Sequence, residues 1–327
     1  MQSTLVDNLC GPLESYLNKA GIYYRIFARR KSFGSIKKKL DQKRAEYQEK
    51  GKKMQDFVGI RIVFYFQDDV EIFHNKLKTM FGYDPANESN TNAELEEINA
   101  LRQQIEQHEE FKPLASMFPL HDKVFMPQRL NIVMRIPSQL ENLMMSEIPA
   151  ELSDEDAALI DRTYEVQLRT VLSEGWHEVE HDLRYKTRNE AWWNNCKDES
   201  RQLNGIYASL ESSESALSKL IAGIAYKNYK SQEWDAMIRN HFRLRFNESA
   251  LPQTFIELLS NQVEAARHCF RLERAELINW LWEITTPIPL STEIVLCILN
   301  RKALHIQEIN DLEKETIKMI LDRELGE

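Results

Sequence analysis

The sequence predicts a mixed α/β domain followed by an all-helical C-terminal region. Three observations support this fold class: a dense apolar and β-branched run at 57–66, an alternating segment at 163–169, and apolar residues at helical spacing throughout the tail. The chain has 327 residues, which is enough for one large domain or two smaller ones. We therefore divide it into an N-terminal helical segment (1–24), an α/β domain (25–230) and a helical C-terminal domain (233–327).

The elements of the α/β domain follow from hydrophobic periodicity and from residues that start or stop helices and strands. Residues 32–50 form a helix, and the run 57–66 suits a central strand that is buried on both faces. Asp68 and Asp69 are placed to cap the next helix, 70–82. The remaining elements are a polar insertion at 84–120, a strand at 129–136 stopped by Pro137, a loop with a short helix at 138–161, a strand at 163–169, and helices at about 170–186 and 198–228.

Composition and charge restrict the class of protein. No apolar run is long enough to cross a membrane and the N-terminus lacks signal-peptide features, so we expect a cytoplasmic protein without a membrane partner. The four cysteines stand far apart, which argues against a disulfide framework or a zinc–thiolate site. The net charge is −9, yet the segment Arg25–Lys53 carries +9 through twelve basic and three acidic residues. Such a block predicts a local anion site, and the alternative is a solvated helix face.

Candidate phosphate-binding residues lie around the start of the 32–50 helix. Arg29 and Lys31 precede it, close to the helix N-terminus, where the dipole favours anions. Ser35 and Lys39 are four residues apart and therefore share one helix face. Cations of this kind are needed to hold a polyphosphate during phosphate transfer. No Walker A or GxGxxG pattern is present, so ATP would not be bound by a P-loop or a kinase glycine loop.

Two carboxylates are candidate ligands for a magnesium ion. Asp56 lies directly before the apolar strand. Glu165 lies on the polar face of its own strand, together with Gln167 and Arg169. A carboxylate on an otherwise apolar sheet is costly unless it is paired or binds a metal, and Mg²⁺ prefers oxygen ligands. The alternative is a structural ion pair of Glu165 with Arg61 or Arg169.

A different metal motif occurs at residues 177–181, where the run HEVEH matches the HExxH pattern of zinc proteases. His177 and His181 would share a helix face and bind zinc, with Glu178 as the general base. The same helix carries much additional charge, and the tail offers no clear third ligand. We therefore interpret this five-residue match as a coincidence.

Three stretches together resemble the synthetase domain of the RelA/SpoT family, which makes the alarmone nucleotides ppGpp and pppGpp. They are ARRKSFGSIKKKL at 28–40, QDFVGIRIVFYF at 55–66 and YEVQLRTVLSEGWHEVEHDLRYK at 164–186. They occur in the family's order, and the resemblance covers roughly residues 20–230. It implies a mixed, five-stranded or similar sheet flanked by helices, of the nucleotidyltransferase-like kind. It also implies transfer of the β,γ-pyrophosphate of ATP to the 3′-hydroxyl of GDP or GTP.

The resemblance also implies roles for individual residues. Asp56 and Glu165 would hold the magnesium ion, and Glu165 would assist deprotonation of the attacking hydroxyl. The residues implied around the ATP phosphates are Arg29, Lys31, Ser35, Lys39 and Arg61. Those implied to support the site or to contact the nucleotide are Gln167, Arg169, His181 and Lys186. For Arg61 the alternative is that it neutralises Asp56 or Glu165.

The acceptor loop departs from the family pattern. The family usually carries a loop that reads G-Y-x-S-L-H, and its tyrosine stacks on the acceptor guanine, whereas this chain has MPQRLN at 126–131. The glycine and tyrosine are missing, and Asn131 stands where histidine is expected. Aromatic stacking contributes about 1–3 kcal/mol per base, so its loss should weaken or change the choice of acceptor. Phe125 is a candidate replacement for the ring, and the alternative is that it belongs to the core.

The leading functional hypothesis is a nucleotide 3′-pyrophosphokinase that uses ATP and Mg²⁺ and lacks its own hydrolase domain. A second hypothesis changes the acceptor to the 3′ end of tRNA or to an adenosine nucleotide, because the loop is altered and the basic block could meet RNA. A third is a non-catalytic nucleotide-sensing or interaction module that works through its helical tail. The apolar stripes of that tail predict core packing, or an interface for a homo-oligomer or a protein partner.

Overall fold

The computed structural model describes residues 4–49, 53–85, 89–90, 130–180 and 197–326. The chain separates into two compact units, one formed by residues 1–11 with 24–214 and the other by residues 12–23 with 215–327. The domain boundaries given above remain predictions. Within the described residues, no helix has the length and apolarity needed to cross a membrane.

A mixed five-stranded sheet forms the centre of the first unit and confirms the predicted fold class. Its strands are β1 (Tyr24–Arg30), β2 (Val58–Phe64), β3 (Ser89–Asn90), β4 (Leu130–Arg135) and β5 (Thr163–Thr170). Their order across the sheet is β1-β2-β5-β4-β3. Strands β2 and β5 run parallel, and the other neighbours are antiparallel. The apolar strand β2 is therefore an interior strand, as its composition predicts.

The chain before the tail also forms helices. They are α1 (Leu5–Lys19), α2 (Phe33–Glu49), α3 (Gln67–Thr79), α4 (Glu141–Glu147), α5 (Asp154–Ala158), α6 (Val171–Glu180) and α7 (Lys197–Lys230). Helix α3 begins earlier than expected, with Phe66 at its N-cap, so Asp68 and Asp69 lie in the first turn and do not cap it. Their charges still favour the positive end of the helix dipole.

Strand β1 is not predicted by the sequence. Its residues, YRIFARR, include three arginines, and none of its side chains is fully buried. It is an edge strand, and pairing with β2 from Tyr24↔Phe64 to Arg30↔Val58 stabilises it without the strong apolar periodicity of a core strand. As a result, Arg29 belongs to the sheet and is not part of the lead into α2.

The second unit is helical, as predicted for the tail. After α7 its helices are α8 (Trp234–Phe242), α9 (Gln253–Asn261), α10 (Val263–Arg271), α11 (Arg274–Glu283), α12 (Thr292–Leu299), α13 (Gln307–Leu312) and α14 (Glu315–Leu325), with a π-helical turn at Asn300–Leu304. Pro287 and Pro289 fall between α11 and α12. Every residue of α12 is buried, which is typical of a helix at the centre of a helical core.

Acid should destabilise this helical unit through His241. Its imidazole lies 2.8 Å from the Leu272 carbonyl oxygen and packs against Phe270. Burial lowers the pKa of His241 from its ordinary value of 6.5, and the Arg243 charge adds to this. Because the unfolded chain takes up the proton more readily, stability should be lost as the pH falls below about 6.5. The melting temperature of His241→Phe, followed by circular dichroism, should therefore fall less between pH 7.5 and 5.5 than that of the wild type.

The matched control is His268→Phe, since His268 is exposed in the same unit. Its melting temperature should show the wild-type pH dependence. Equal pH dependence in His241→Phe and the wild type would contradict the assignment to His241.

Candidate functional site

The centre of one sheet face carries polar side chains. The strand register places Arg29, Gly59 and Glu165 side by side across β1, β2 and β5. The next row across the sheet consists of Phe27, Arg61, Gln167 and Asn131. Directly paired residues of neighbouring strands point to the same face. Tyr164, Val166 and Leu168 of β5 point to the other face and are buried, as the sequence predicts.

Gly59 leaves open space in the first of these rows. Among the described residues, a Cβ atom built at Gly59 would meet no heavy atom within 4 Å apart from its chain neighbours. Arg29 lies on one side of this space and Glu165 on the other. Glycine within a strand often marks a place where a ligand approaches the backbone closely. The sheet is therefore accessible between a cation and a carboxylate.

Asp56 lies between two lysines at the beginning of β2. Its Oδ2 atom is 2.8 Å from Lys31 Nζ and 2.6 Å from Lys39 Nζ. The backbone N–H of Lys31 donates to the Phe57 carbonyl at 2.9 Å, which extends the pairing of β1 and β2 by one step. Lys39 reaches Asp56 from the second turn of α2. Two of the predicted phosphate-binding residues thus contact one of the predicted metal ligands.

The environment of the Asp56 carboxylate favours its charged form, and one of its two oxygen atoms has no hydrogen-bond partner within the described residues. Burial acts to raise the pKa of Asp56, but the Lys31 and Lys39 ammonium groups outweigh it, so that the pKa is lowered from its ordinary value. Atom Oδ1 is buried and accepts no hydrogen bond from the described residues. A buried oxygen without a partner carries a desolvation cost that a divalent cation would remove.

Glu165 makes a hydrogen bond and no ion pair within the described part of the chain. Its Oε2 atom accepts from Gln167 Nε2 at 2.8 Å. The alternative ion pairs with Arg61 or Arg169 are not formed. Both arginines turn to Glu174 of α6 instead: Arg61 Nη1 donates to Glu174 Oε1, and Arg169 Nε lies 3.5 Å from Glu174 Oε2. Nor does Arg61 neutralise Asp56, which is paired with the two lysines.

The contacts of α6 argue against the zinc interpretation. Glu178, the acid of the HExxH match, accepts from Arg61 Nη1 at 2.6 Å. His177 is buried against Trp176 and Tyr207. His181 lies outside the described residues. Among the residues that are described, no group of three His, Cys, Asp or Glu side chains is arranged to hold a metal.

The other predicted site residues are distributed as follows. Ser35 lies in the first turn of α2, and its Oγ atom is 3.0 Å from that of Ser32. Asn131 lies beside Gln167, and within the described residues its buried Oδ1 atom accepts no hydrogen bond. Gly59 is the direct neighbour of Glu165 on the adjacent strand, and Asp56 precedes Gly59 by three positions. The backbone positions of the two carboxylates are therefore about 10 Å apart along the strand direction. Phe125 and Lys186, like most of the altered acceptor loop, lie outside the described residues.

Sequence reasoning did not single out Gly59 or Glu174, and it considered Glu178 only as the general base of a zinc motif. The signal for Gly59 is its isolation in a run of β-branched and aromatic residues, which often marks a close approach to the backbone. The signal for Glu174 and Glu178 is their i, i+4 spacing, which aligns both carboxylates on one helix face. That spacing alone does not identify Arg61 as their partner.

Comparisons with known proteins agree with the sequence resemblance. Residues 28–190 match the model of the region found in RelA / SpoT proteins. In structure, the chain is similar to small alarmone synthetase 1 from Bacillus subtilis, with 18% identity, coverage of 66% of this chain and 89% of that chain, and a TM-score of 0.40. It is also similar to smu.1046c from Streptococcus mutans UA159, with 17% identity, coverage of 65% and 87%, and a TM-score of 0.39. None of the curated proteins matches the sequence.

Proposed function

Since residues 28–190 match the region found in RelA / SpoT proteins, we propose that this chain is an ATP-dependent nucleotide 3′-pyrophosphokinase. It would transfer the β,γ-pyrophosphate of ATP to the 3′-hydroxyl of GDP or GTP. The acceptor oxygen forms a bond to the β-phosphorus, the bond between that phosphorus and the α,β-bridging oxygen breaks, and AMP leaves. The hydroxyl proton passes to a base.

One observation carries this proposal: the Lys31–Asp56–Lys39 contact on the sheet that also bears Glu165. Polyphosphate chemistry requires cations for the phosphate oxygens and carboxylates for the metal. Both kinds of group are within 2.8 Å of one another here. A module that only binds a nucleotide through its phosphates has no need of a partly buried carboxylate between two lysines.

Asp56 and Glu165 are suited to hold Mg²⁺. The unpartnered Oδ1 atom of Asp56 supports this assignment, as does the absence of an ion pair at Glu165 among the described residues. Two protein carboxylates, with substrate phosphates and water completing the shell, are typical of magnesium sites. When bound, the ion would neutralise charge that develops on the transferred phosphates.

The donor phosphates would be bound by Arg29, Lys31, Ser35 and Lys39. Within the described residues, the Arg29 side chain forms no ion pair or hydrogen bond, and it borders the open space over Gly59. Lys31 and Lys39 would exchange Asp56 for phosphate oxygens, which releases Asp56 for the metal. Glu165, on the far side of the same space, would accept the proton of the attacking hydroxyl.

The acceptor would approach from the β4 side of the sheet. Asn131, next to Gln167, offers a buried oxygen that needs a hydrogen-bond donor. A ribose hydroxyl or a base N–H group supplies such a donor. This supports a nucleotide acceptor, and a guanosine nucleotide is the acceptor that the family resemblance implies.

A product assay tests the proposal. The protein is incubated with ATP and Mg²⁺, together with GDP, GTP, a second adenosine nucleotide or bulk tRNA, and the products are separated by chromatography. We expect AMP and a pyrophosphorylated guanosine nucleotide in equal amounts. If ATP is labelled in its β,γ-phosphates and only tRNA becomes labelled, the acceptor is RNA and not a guanosine nucleotide. If the folded protein forms no AMP with any acceptor, the proposal is refuted.

Bulky residues at position 59 should reduce turnover without unfolding the protein. The added side chain enters open space, and a β-branched residue suits a strand, so the melting temperature should change little. The same side chain would occupy the space between Arg29 and Glu165. In the series Gly59→Ala, Gly59→Val and Gly59→Leu, we expect AMP formation to fall progressively, by about 10-fold or more for leucine, as misplaced reactants lose rate steeply.

The alanine variant is the internal control of this series, because it adds only one carbon atom. Equal rates for all three variants would show that the substrate does not occupy this space.

A further inference from the structure

A chain of hydrogen bonds leads to Glu165 across the sheet. Gln167 Nε2 donates to Glu165 Oε2 at 2.8 Å, and Arg61 Nε donates to Gln167 Oε1 at 3.1 Å. Arg61 and Gln167 are direct neighbours in the parallel pair of β2 and β5. Gln167 and Glu165 lie two residues apart on the same strand face. The three side chains therefore form one continuous line, which we call the Arg61–Gln167–Glu165 relay.

The chemistry of the groups fixes the direction of this relay. A guanidinium group only donates hydrogen bonds and a carboxylate only accepts them. The amide of Gln167 must therefore turn its oxygen to Arg61 and its NH₂ group to Glu165. A glutamine without Arg61 could rotate its amide and lose the donor toward Glu165.

Arg61 is itself held in place by α6. Its Nη1 atom donates to Glu174 and to Glu178, and Glu174 is also approached by Arg169. The two glutamates are one helical turn apart. These contacts occupy Arg61 with protein carboxylates, so it is poorly placed to act as a free phosphate-binding cation.

We propose that Gln167 positions the Glu165 carboxylate and that Arg61 acts on the reaction only through Gln167. The inference rests on the proposed function, because Glu165 is the proposed base and metal ligand. It replaces the phosphate-binding role for Arg61 that the family resemblance implies. Loss of a residue that orients a ligand or base typically lowers activity about 10- to 100-fold.

The test combines steady-state kinetics with a double-mutant cycle. Gln167→Leu and Arg61→Met should each lower kcat for AMP formation about 10- to 100-fold, with KM for ATP changed less than about twofold. Because both act on one group, the double variant should be no slower than the slower single variant. Arg25→Met is the matched control: Arg25 is exposed on the same sheet face in the row of Val63, and it should keep wild-type kinetics.

Gln167→Glu separates positioning from a merely structural contribution. It keeps the acceptor for Arg61 and nearly the same shape, but it has no donor for Glu165. It also adds a negative charge beside Glu165, so we expect it to keep the fold, as seen by circular dichroism, and to lose at least as much kcat as Gln167→Leu. Wild-type turnover in Gln167→Glu would overturn the inference, as would multiplicative effects in the double variant or a raised KM for ATP as the main effect of Arg61→Met.

A second readout needs neither nucleotide nor metal. The side-chain amide signal of Gln167 in a ¹⁵N–¹H spectrum, identified by its loss in Gln167→Glu, should shift in both Arg61→Met and Glu165→Gln. An unchanged signal in Arg61→Met would contradict the relay even if the enzyme is active. If the wild type forms no AMP, the proposed function itself fails. If the wild type forms AMP but the two variants have multiplicative effects on kcat, only the relay is refuted.

Discussion

Glu165→Gln is expected to lower kcat for AMP formation by about 10²–10⁴-fold, because a general base, the role proposed for Glu165, contributes a factor of this size. The fold should be retained, since glutamine has the same shape and its oxygen can still accept the hydrogen bond from Gln167. What is lost is the negative charge that would bind the metal and take up the proton. Initial rates at saturating ATP, with melting temperatures measured in parallel, test this expectation.

Glu141→Gln is a suitable control for this variant. Glu141 pairs with Arg162 in the same unit and is not among the proposed site residues. It should keep wild-type turnover. If Glu165→Gln also turned over normally, Glu165 would be neither the base nor an essential metal ligand. A pure nucleotide sensor would form no AMP in any of these proteins.

The second large effect is expected for Asp56→Asn. Removal of one carboxylate from a magnesium site forfeits several kcal/mol of charge stabilisation, so kcat should fall by about 10²-fold or more. The Mg²⁺ concentration needed for half-maximal rate should rise as well, because an amide is a weaker ligand. A magnesium titration at fixed ATP measures both effects. Stability should change by only about 1 kcal/mol, since Lys31 and Lys39 are partly exposed and can be solvated.

Asp156→Asn is the matched control for the ion pair. Asp156 pairs with Arg44 of the same helix α2 at 2.6 Å and is similarly buried, but it lies outside the proposed site. It should lose a comparable amount of stability and no activity. A normal magnesium dependence in Asp56→Asn would contradict the role of Asp56 as a metal ligand.

The interior strands of the sheet could be predicted because the pattern of polar and apolar residues in each strand reflects its burial. Strand β5 alternates polar and apolar side chains, which identifies both the strand and the face that bears Glu165. Strand β2 is apolar enough to identify an interior strand. By contrast, the alternation of β1 is weak, because Phe27 lies among its exposed positions and none of its side chains is fully buried. Pairing with β2 stabilises this edge strand.

The candidate site could be predicted as a set of residue types but not as a set of contacts. Lys31, Lys39 and Asp56 were each identifiable from the family motifs. Their direct contact arises from the way β1, α2 and the beginning of β2 meet in space. The pairing of Arg61 with Glu174 joins residues 113 positions apart, and local spacing carries no information about it.

The position of Asp56 between two lysines has a consequence for how substrates would enter. A lone cation that binds Asp56 competes with Lys31 and Lys39 for its charge, and a lone anion that binds the two lysines competes with Asp56. When a cation and a polyphosphate bind together, the cation pairs with Asp56 and the phosphates pair with Lys31 and Lys39. Every charge then keeps a partner of opposite sign. The affinities for Mg²⁺ and for ATP should therefore be thermodynamically linked, each raising the other by the same factor. Lys31, Asp56 and Lys39 would therefore bind the magnesium complex of the nucleotide in preference to inorganic phosphate or free metal.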